Sequence, residues 1–225
     1  MDPAKEAHDV SALAALAEPT RRRLYEHVMR QAEPVSREQA ASALGLARQT
    51  AAFHLDRLAE ASLLDVVYER RSGRTGPGAG RPAKLYRRPD REITVSVPAR
   101  RYELAAELLA QAVQDSEATG EAVRAVLHRK AHDMGKEMGK EMGGKGGVDL
   151  TGLLESCGFE PRREGTSVAL LNCPFHSLAR RHTDTVCGMN LHLLRGVLTG
   201  MGDSTYTARL APAQGRCCVR LEAAG

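Results

Sequence analysis

The chain has 225 residues, of which 42% are hydrophobic and only 4% aromatic, and its formal net charge is +4 at pH 7. That length suffices for two small domains, each with a core of its own. No apolar run approaches the roughly 20 residues a membrane span needs, and the start MDPAKEAHDVSALAALAEP has no basic segment followed by a continuous apolar stretch, so the expectation is a soluble cytoplasmic protein without a signal peptide.

The charge is unevenly placed. Through Arg91 there are 16 Lys and Arg against 12 Asp and Glu, whereas the remainder balances at 16 against 16. A local basic excess fits a polyanion partner. The chain divides into residues 1–91, residues 92–147 and residues 148–225, with the glycine-rich stretch Gly143 to Gly147 as a joint.

In the first region, Glu18-Pro19-Thr20 opens a helix through RRRLYEHVMRQ with Leu24 and Val28 on its apolar face. Ser36 and Gln39 have the spacing of a capping box, and the helix they start stops at Gly45. A third helix, RQTAAFHLDRLAEASLL, follows a short turn, which makes a helix-turn-helix candidate. At about 100° per residue, Ala51, Leu55 and Leu58 share the packed face, while Gln49, Phe53 and Arg57 lie opposite. A large aromatic on the wet face suits a recognition helix, with Phe53 against a thymine methyl and Gln49 or Arg57 at a base edge or phosphate. Arg48, Thr50 and His54 on the same helix complete the candidate contacts.

Two strand-like runs, Asp65 to Glu69 and Lys84 to Arg88, then flank a Gly/Pro/Arg loop. Residues 66–91 hold eight Lys and Arg against two Asp and Glu, as a phosphate-holding wing would. Arg74, Arg81 and Lys84 are its candidate DNA contacts. The segments LAEPTRRRLYEHV, ARQTAAFHLDRL and GRPAKLYRR resemble the winged-helix domain of ArsR-like regulators. That resemblance implies a DNA-binding homodimer on an inverted-repeat operator; the metal-site motifs of those regulators are not evident in this domain.

Residues 98–142 read as helix broken near Thr119-Gly120, with Leu104, Leu108, Leu109, Val123, Val126 and Leu127 as an apolar stripe for a partner helix. Met134, Met138 and Met142 fall four apart, which favours adaptable packing over a Cu(I) site. The glycines between them predict a pliable hinge, since each costs about 1 kcal/mol in a helix.

The last region mixes helices and strands around LLNCPFHSLARRHTDTVCGM and GRCCVRL. Cys173 precedes a proline at a helix start, a position that predicts a lowered thiol pKa. Cys187 opens another helix, and 29 residues separate it from Cys217. Asn172, His176, Arg180, Arg181, His182 and Asp184 are poor company for a dry core, so these cysteines read as ligands for a soft metal or an iron–sulfur cluster. His176 is a candidate fourth ligand, and Cys157 reads as structural. In a strand-like RCCVRL, Cys217 shares a face with Val219 and Leu221 while Cys218 points the other way, which favours Cys217 as the ligand.

CPFHSLA, Cys187 at a helix start and GRCCVRL are similar to the C-terminal region of SufR-type iron–sulfur repressors, from which the adjacent pair Cys217-Cys218 departs. The resemblance implies a repressor in which Cys173, Cys187 and Cys217 hold a [4Fe–4S] cluster that senses redox or iron–sulfur status. It also implies a sensor domain like the small-molecule-binding domains named after vinyl reductases. The fold class expected is therefore α+β: an N-terminal winged helix-turn-helix, central dimerisation helices and a C-terminal α/β sensor. The alternative is a zinc ion on the same ligands, or a small ligand sensed in place of a cluster. An enzyme with a Cys/His nucleophile is disfavoured, because no orienting third group or oxyanion turn is recognisable.

Overall fold

Helix α1 (Pro3–Ala15) leads into α2 (Pro19–Met29), whose start is fixed by Glu18. The Glu18 carboxylate accepts from the backbone N–H of Thr20 at 2.9 Å and of Arg21 at 2.6 Å, with proline at the first helical position. A computed structural model describes residues 3–69, 82–143 and 149–224, residues 3–6 by backbone alone. It forms two compact units, one ending at Val95 and one beginning at Ser96.

In the first unit, β1 (Val35–Ser36) runs directly into α3 (Arg37–Leu44). The capping box forms: Gln39 N–H donates to Ser36 Oγ at 3.2 Å, and Ser36 N–H donates back to Gln39 Oε1 at 3.0 Å. Gly45 ends the helix in the left-handed region, φ 66°. After the turn comes α4 (Arg48–Glu60), which is shorter than the sequence pattern predicts. Ser62 adopts φ 61°, and Leu63 N–H bonds back to Leu58 O at 2.9 Å. This reversal turns Leu63 and Leu64 into the core instead of extending the helix. Strands β2 (Asp65–Glu69) and β3 (Ala83–Arg87) pair antiparallel, and β1 adds to β3, giving the order β1-β3-β2. Leu24, Val28, Leu55, Leu58 and Tyr86 form the shared core.

The second unit begins with α5 (Tyr102–Thr119), stopped by Gly120 at φ 75°, and α6 (Val123–Gly143). Next come α7 (Leu150–Ser156), β4 (Pro161–Glu164), β5 (Ser167–Leu170) and the short α8 (His176–Arg181). Helix α9 (Thr183–Met201), β6 (Tyr206–Leu210) and β7 (Val219–Ala223) complete it. The antiparallel sheet has the order β4-β5-β7-β6. This mixed helix and sheet architecture agrees with the α+β expectation. Among the described residues no helix is long and apolar enough to cross a membrane.

The glycines of α6 do not make a hinge. Gly135 and Gly139 are buried, and α9 presents Gly196 and Gly200 to the same contact. A methyl group on Gly135 would meet the Leu193 carbonyl, and one on Gly196 would meet the His132 carbonyl. The two backbones therefore touch with no side chain between them. At this approach only glycine fits, and the helix-propensity penalty is offset by close backbone packing. Met134, Met138 and Met142 fill in around this contact as partly buried packing residues.

Most of the apolar stripe on α5 and α6 is likewise already used, with Val123, 42% exposed, left out. Leu108, Val126 and Leu127 are at most 1% exposed and share one core with the sheet and α9. Leu104 and Leu109 are half-buried against that core. The periodicity expected for a partner helix is satisfied within the chain, because α9 and the sheet arrive from farther along the sequence to cover it.

Adding a methyl at these contacts tests the packing. Gly135→Ala and Gly196→Ala should each lower the unfolding free energy by roughly 1–3 kcal/mol through overpacking. Gly143→Ala, whose new methyl would lie 3.9 Å from Met201 Cα, should leave stability unchanged or raise it by up to about 1 kcal/mol. Urea unfolding of the three variants distinguishes these outcomes.

Candidate DNA-reading face and thiol site

The outward face of α4 carries Arg48, Gln49, Thr50, Phe53 and Arg57, all exposed. Phe53 is 56% exposed, an unusual surface for a phenyl ring. The Arg57 guanidinium lies 5.6 Å from its ring centre and is ion-paired with Glu60 at 3.0 Å. Arg48 is paired with Glu38 at 2.6 Å. These exposed ion pairs contribute little stability and are readily exchanged for phosphate partners. His54 does not share this face. Its side chain is 15% exposed and its Nδ1 lies 3.6 Å from Glu18, beside the cap of α2.

Asp56 ties this helix to the hairpin. Its Oδ1 accepts from Lys84 Nζ at 2.5 Å and from Tyr86 Oη at 2.6 Å, both on β3. Burial works against the Asp56 charge, but these two bonds outweigh it and hold its pKa below the ordinary carboxylate value. Burial first, then the bond to Asp56, pushes the Tyr86 phenol up. Lys84 thus aligns the wing with the helix and is not an unencumbered DNA contact. Arg74 and Arg81 lie outside the described residues. Tyr68, 62% exposed and opposite Lys84 in the strand register, joins the same surface. Sequence reading passed it over, although an aromatic on a strand leading into a basic loop is the available signal.

In the second unit, three segments converge: the residues before α8 bring Cys173, the first turns of α9 bring Cys187, and the residues before β7 bring Cys217 and Cys218. Cys173, Cys187 and Cys217 are 7%, 6% and 3% exposed, and Cys218 is half-buried. Cys173 neighbours Cys217, Cys217 neighbours Cys218 and Cys218 neighbours Cys187 in a row, and each thiol shifts the acidity of the next. The bond to Cys217, then burial, pushes the Cys173 thiol far up, so the expected lowering at a helix start does not occur. Two causes overturn that expectation: the neighbouring Cys217 thiol and burial. The Cys173 thiol lowers Cys217, but Cys218 and burial push it up to about 12. The bond to Cys187 likewise raises Cys218 to about 12. Cys187 is lowered by its Cys218 neighbour against the opposing effect of burial.

Cys217 shares the inward face with Val219 and Leu221, as strand alternation predicts. Alternation does not remove Cys218 from the site, however, because regular strand begins only at Val219. Cys187 lies a full turn inside α9, which starts at Thr183. His176 is exposed on α8, and Cys157 is buried apart from the row.

Two polar residues that sequence reading did not assign support the site. Asn190, fully buried one turn along α9 from Cys187, donates from Nδ2 to Cys217 Sγ at 3.2 Å. Its Oδ1 has no hydrogen-bond partner among the described residues. A lone amide within the apolar run GMNLHLL is the signal that could have flagged it. Arg100 donates to Asn172 Oδ1 at 2.6 Å and to the Cys173 carbonyl at 3.1 Å, fixing the backbone there.

The donor set is entirely thiol and mostly buried, which fits a soft metal or an iron–sulfur centre. Among the described residues no group of three or more His, Cys, Asp and Glu side chains is arranged to hold a metal ion. A metal would require these thiols to lose protons and turn toward it.

The row makes a pH prediction. In the reduced, metal-free protein Cys187 should be the first of these thiols to ionise as pH rises. Cys218→Ala removes the neighbour that favours its thiolate, so Cys187 should then ionise at higher pH. Alkylation rates mapped by mass spectrometry across pH read this directly, and an unshifted Cys187 profile in the variant would contradict the row.

Residues 16–67 match a family model described as a helix-turn-helix domain. The match runs from just before α2 into β2, and so includes the capping box, the turn and the whole of α4. No curated protein and no solved structure matches the chain. The chain carries a winged helix-turn-helix domain, which supports a DNA-binding transcriptional regulator.

Proposed function

We propose that this regulator is a homodimeric repressor whose binding to an inverted-repeat operator is controlled by a [4Fe–4S] cluster on Cys173, Cys187 and Cys217. The observation that carries the reading is the convergence of these thiols from three separate segments, in a chain whose other unit is a DNA reader. When bound, such a cluster supplies an oxidant-sensitive cross-link among the segments. The chain's own part begins at α9. Cys187 sits at one end of this helix, and Gly196 and Gly200 lock the other end against α6. Gly188, next to Cys187, leaves the space that His128 of α6 occupies, since a methyl there would lie 2.7 Å from His128 Nε2. A displacement of Cys187 therefore bears on α6 and, through α5, on the segment that leads back to the winged domain. Redox or iron–sulfur status would reach the operator by this route. We infer no catalytic step.

The row of neighbouring thiols favours zinc as the second reading, because one small ion draws four sulfurs close together. Iron, sulfide and zinc analysis of protein purified without oxygen separates the two. Iron with matching sulfide is expected; zinc alone would replace the cluster.

For the DNA face, Phe53→Ala and Gln49→Ala should erode discrimination between operator and random duplex by roughly 1–3 kcal/mol per lost base contact, without altering the unfolding curve. Replacing Arg74 and Arg81 with Ala should instead weaken all duplexes alike and lower the salt slope by about one unit per lost phosphate contact. Binding titrations at several salt concentrations check both. If the two pairs of variants behaved identically, the division between reading and anchoring would fail.

A further inference from the structure

We propose that His54 is a positioning residue for base reading: anchored on the Glu18 carboxylate, it holds the Phe53 ring in the orientation in which that ring meets a thymine methyl. The inference deepens the DNA-reading role proposed for Phe53 and rests on it.

His54 and Phe53 are consecutive on α4 but leave it in different directions. Phe53 faces outward and is 56% exposed, whereas the His54 side chain is 15% exposed and lies against the cap of α2. The two rings nevertheless meet. Their centroids are 5.2 Å apart with the planes at 71°, the edge-to-face arrangement that aromatic pairs prefer. A phenyl ring standing free in water hops among rotamers, and docking must then stop it. Ordering such a side chain before binding instead of during it is worth roughly two- to tenfold in affinity.

The imidazole can steady the ring only if it is itself held, and Glu18 holds it. Both carboxylate oxygens are already fixed, Oε1 by Thr20 N–H at 2.9 Å and Oε2 by Arg21 N–H at 2.6 Å. His54 Nδ1 lies 3.6 Å from Oε2. It is buried and has no hydrogen-bond partner among the described residues. With its proton on Nδ1, the ring therefore aims an N–H dipole at an immobile negative charge, in surroundings that water does not screen.

Arg57 steadies Phe53 less dependably. Its guanidinium lies 5.6 Å from the ring centre, but it is exposed and ion-paired with Glu60 at 3.0 Å. A phosphate would compete for it when a duplex docks. His54 is turned away from the reading face, so it keeps its contact with the Phe53 ring as the duplex arrives. Discrimination among bases then depends on a residue that touches none.

The experiment uses the full chain, purified without oxygen, and a duplex that the wild-type chain selects from a randomised library. Each thymine is replaced in turn by uracil, which removes only the 5-methyl group. In wild type one replacement should weaken binding roughly fourfold, the worth of one buried methyl group, and Phe53→Ala should abolish that difference. His54→Ala should cut it to about half or less, with affinity for random duplex and the salt slope unchanged. A His54→Ala protein that keeps the full methyl effect, even while binding every duplex more weakly, would overturn the positioning role and leave Phe53 as the reader. If no thymine shows an effect that Phe53→Ala removes, the Phe53 reading fails and the inference with it. In the wild-type chain, nuclear Overhauser contacts between the Phe53 and His54 rings should persist from the free to the duplex-bound state. Their loss on binding would overturn the proposal without recourse to a variant that fails to fold.

Discussion

The contact of α6 with α9, backbone against backbone, is the constraint on which the second unit depends. Gly135 and Gly139 on one helix and Gly196 and Gly200 on the other let the two main chains touch along part of the seam. The helices then pack by dispersion between main chains, where a gap of even 1 Å would forfeit a quarter to a half of each contact. Such a seam does not deform by degrees. It is either closed or displaced, so what happens at one end of α9 bears on the whole length of α6. Cys187 stands at that end, and Gly188 beside it accommodates His128, whose ring stacks on His192 at 4.3 Å. Cys187 is thereby built on a rigid element.

A second fixed point organises the first unit. Asp56 takes two hydrogen bonds from β3, and through them α4 and the wing keep one relative orientation. Base reading and phosphate anchoring need that common frame, because a recognition helix free to roll under its wing would lose register with the groove. The apolar cost of leaving Phe53 in water is small beside a core contact, and the Arg57 stack shields part of the ring.

Much of this was legible where the signal was local. The Ser36–Gln39 box, the stop at Gly45, the strand Asp65 to Glu69 and the break at Gly120 each follow from residues close in sequence. The same holds for Ala51, Leu55 and Leu58 as the packed face of α4. Features set by distant partners were not legible. The stripe through Leu108 looks identical whether a second chain or α9 covers it. The glycines of GKEMGKEMG read as flexibility until Gly196 and Gly200 are placed opposite them. Cys173 has the local setting of an acidic thiol, yet Cys217, far along the chain, together with burial pushes the thiol up and reverses the expectation. Ser62 in the left-handed region ended α4 early, and nothing in the apolar periodicity marks that reversal.

The central claim is that the state of the thiol site governs DNA affinity. It is tested most directly by titrating one selected operator duplex with the same preparation before and after the metal centre is stripped, at a single fixed salt concentration. A change in dissociation constant of roughly tenfold or more, about 1.4 kcal/mol of coupling, is expected, and it should vanish in Cys187→Ser. Equal affinity of the loaded and stripped proteins would contradict the claim.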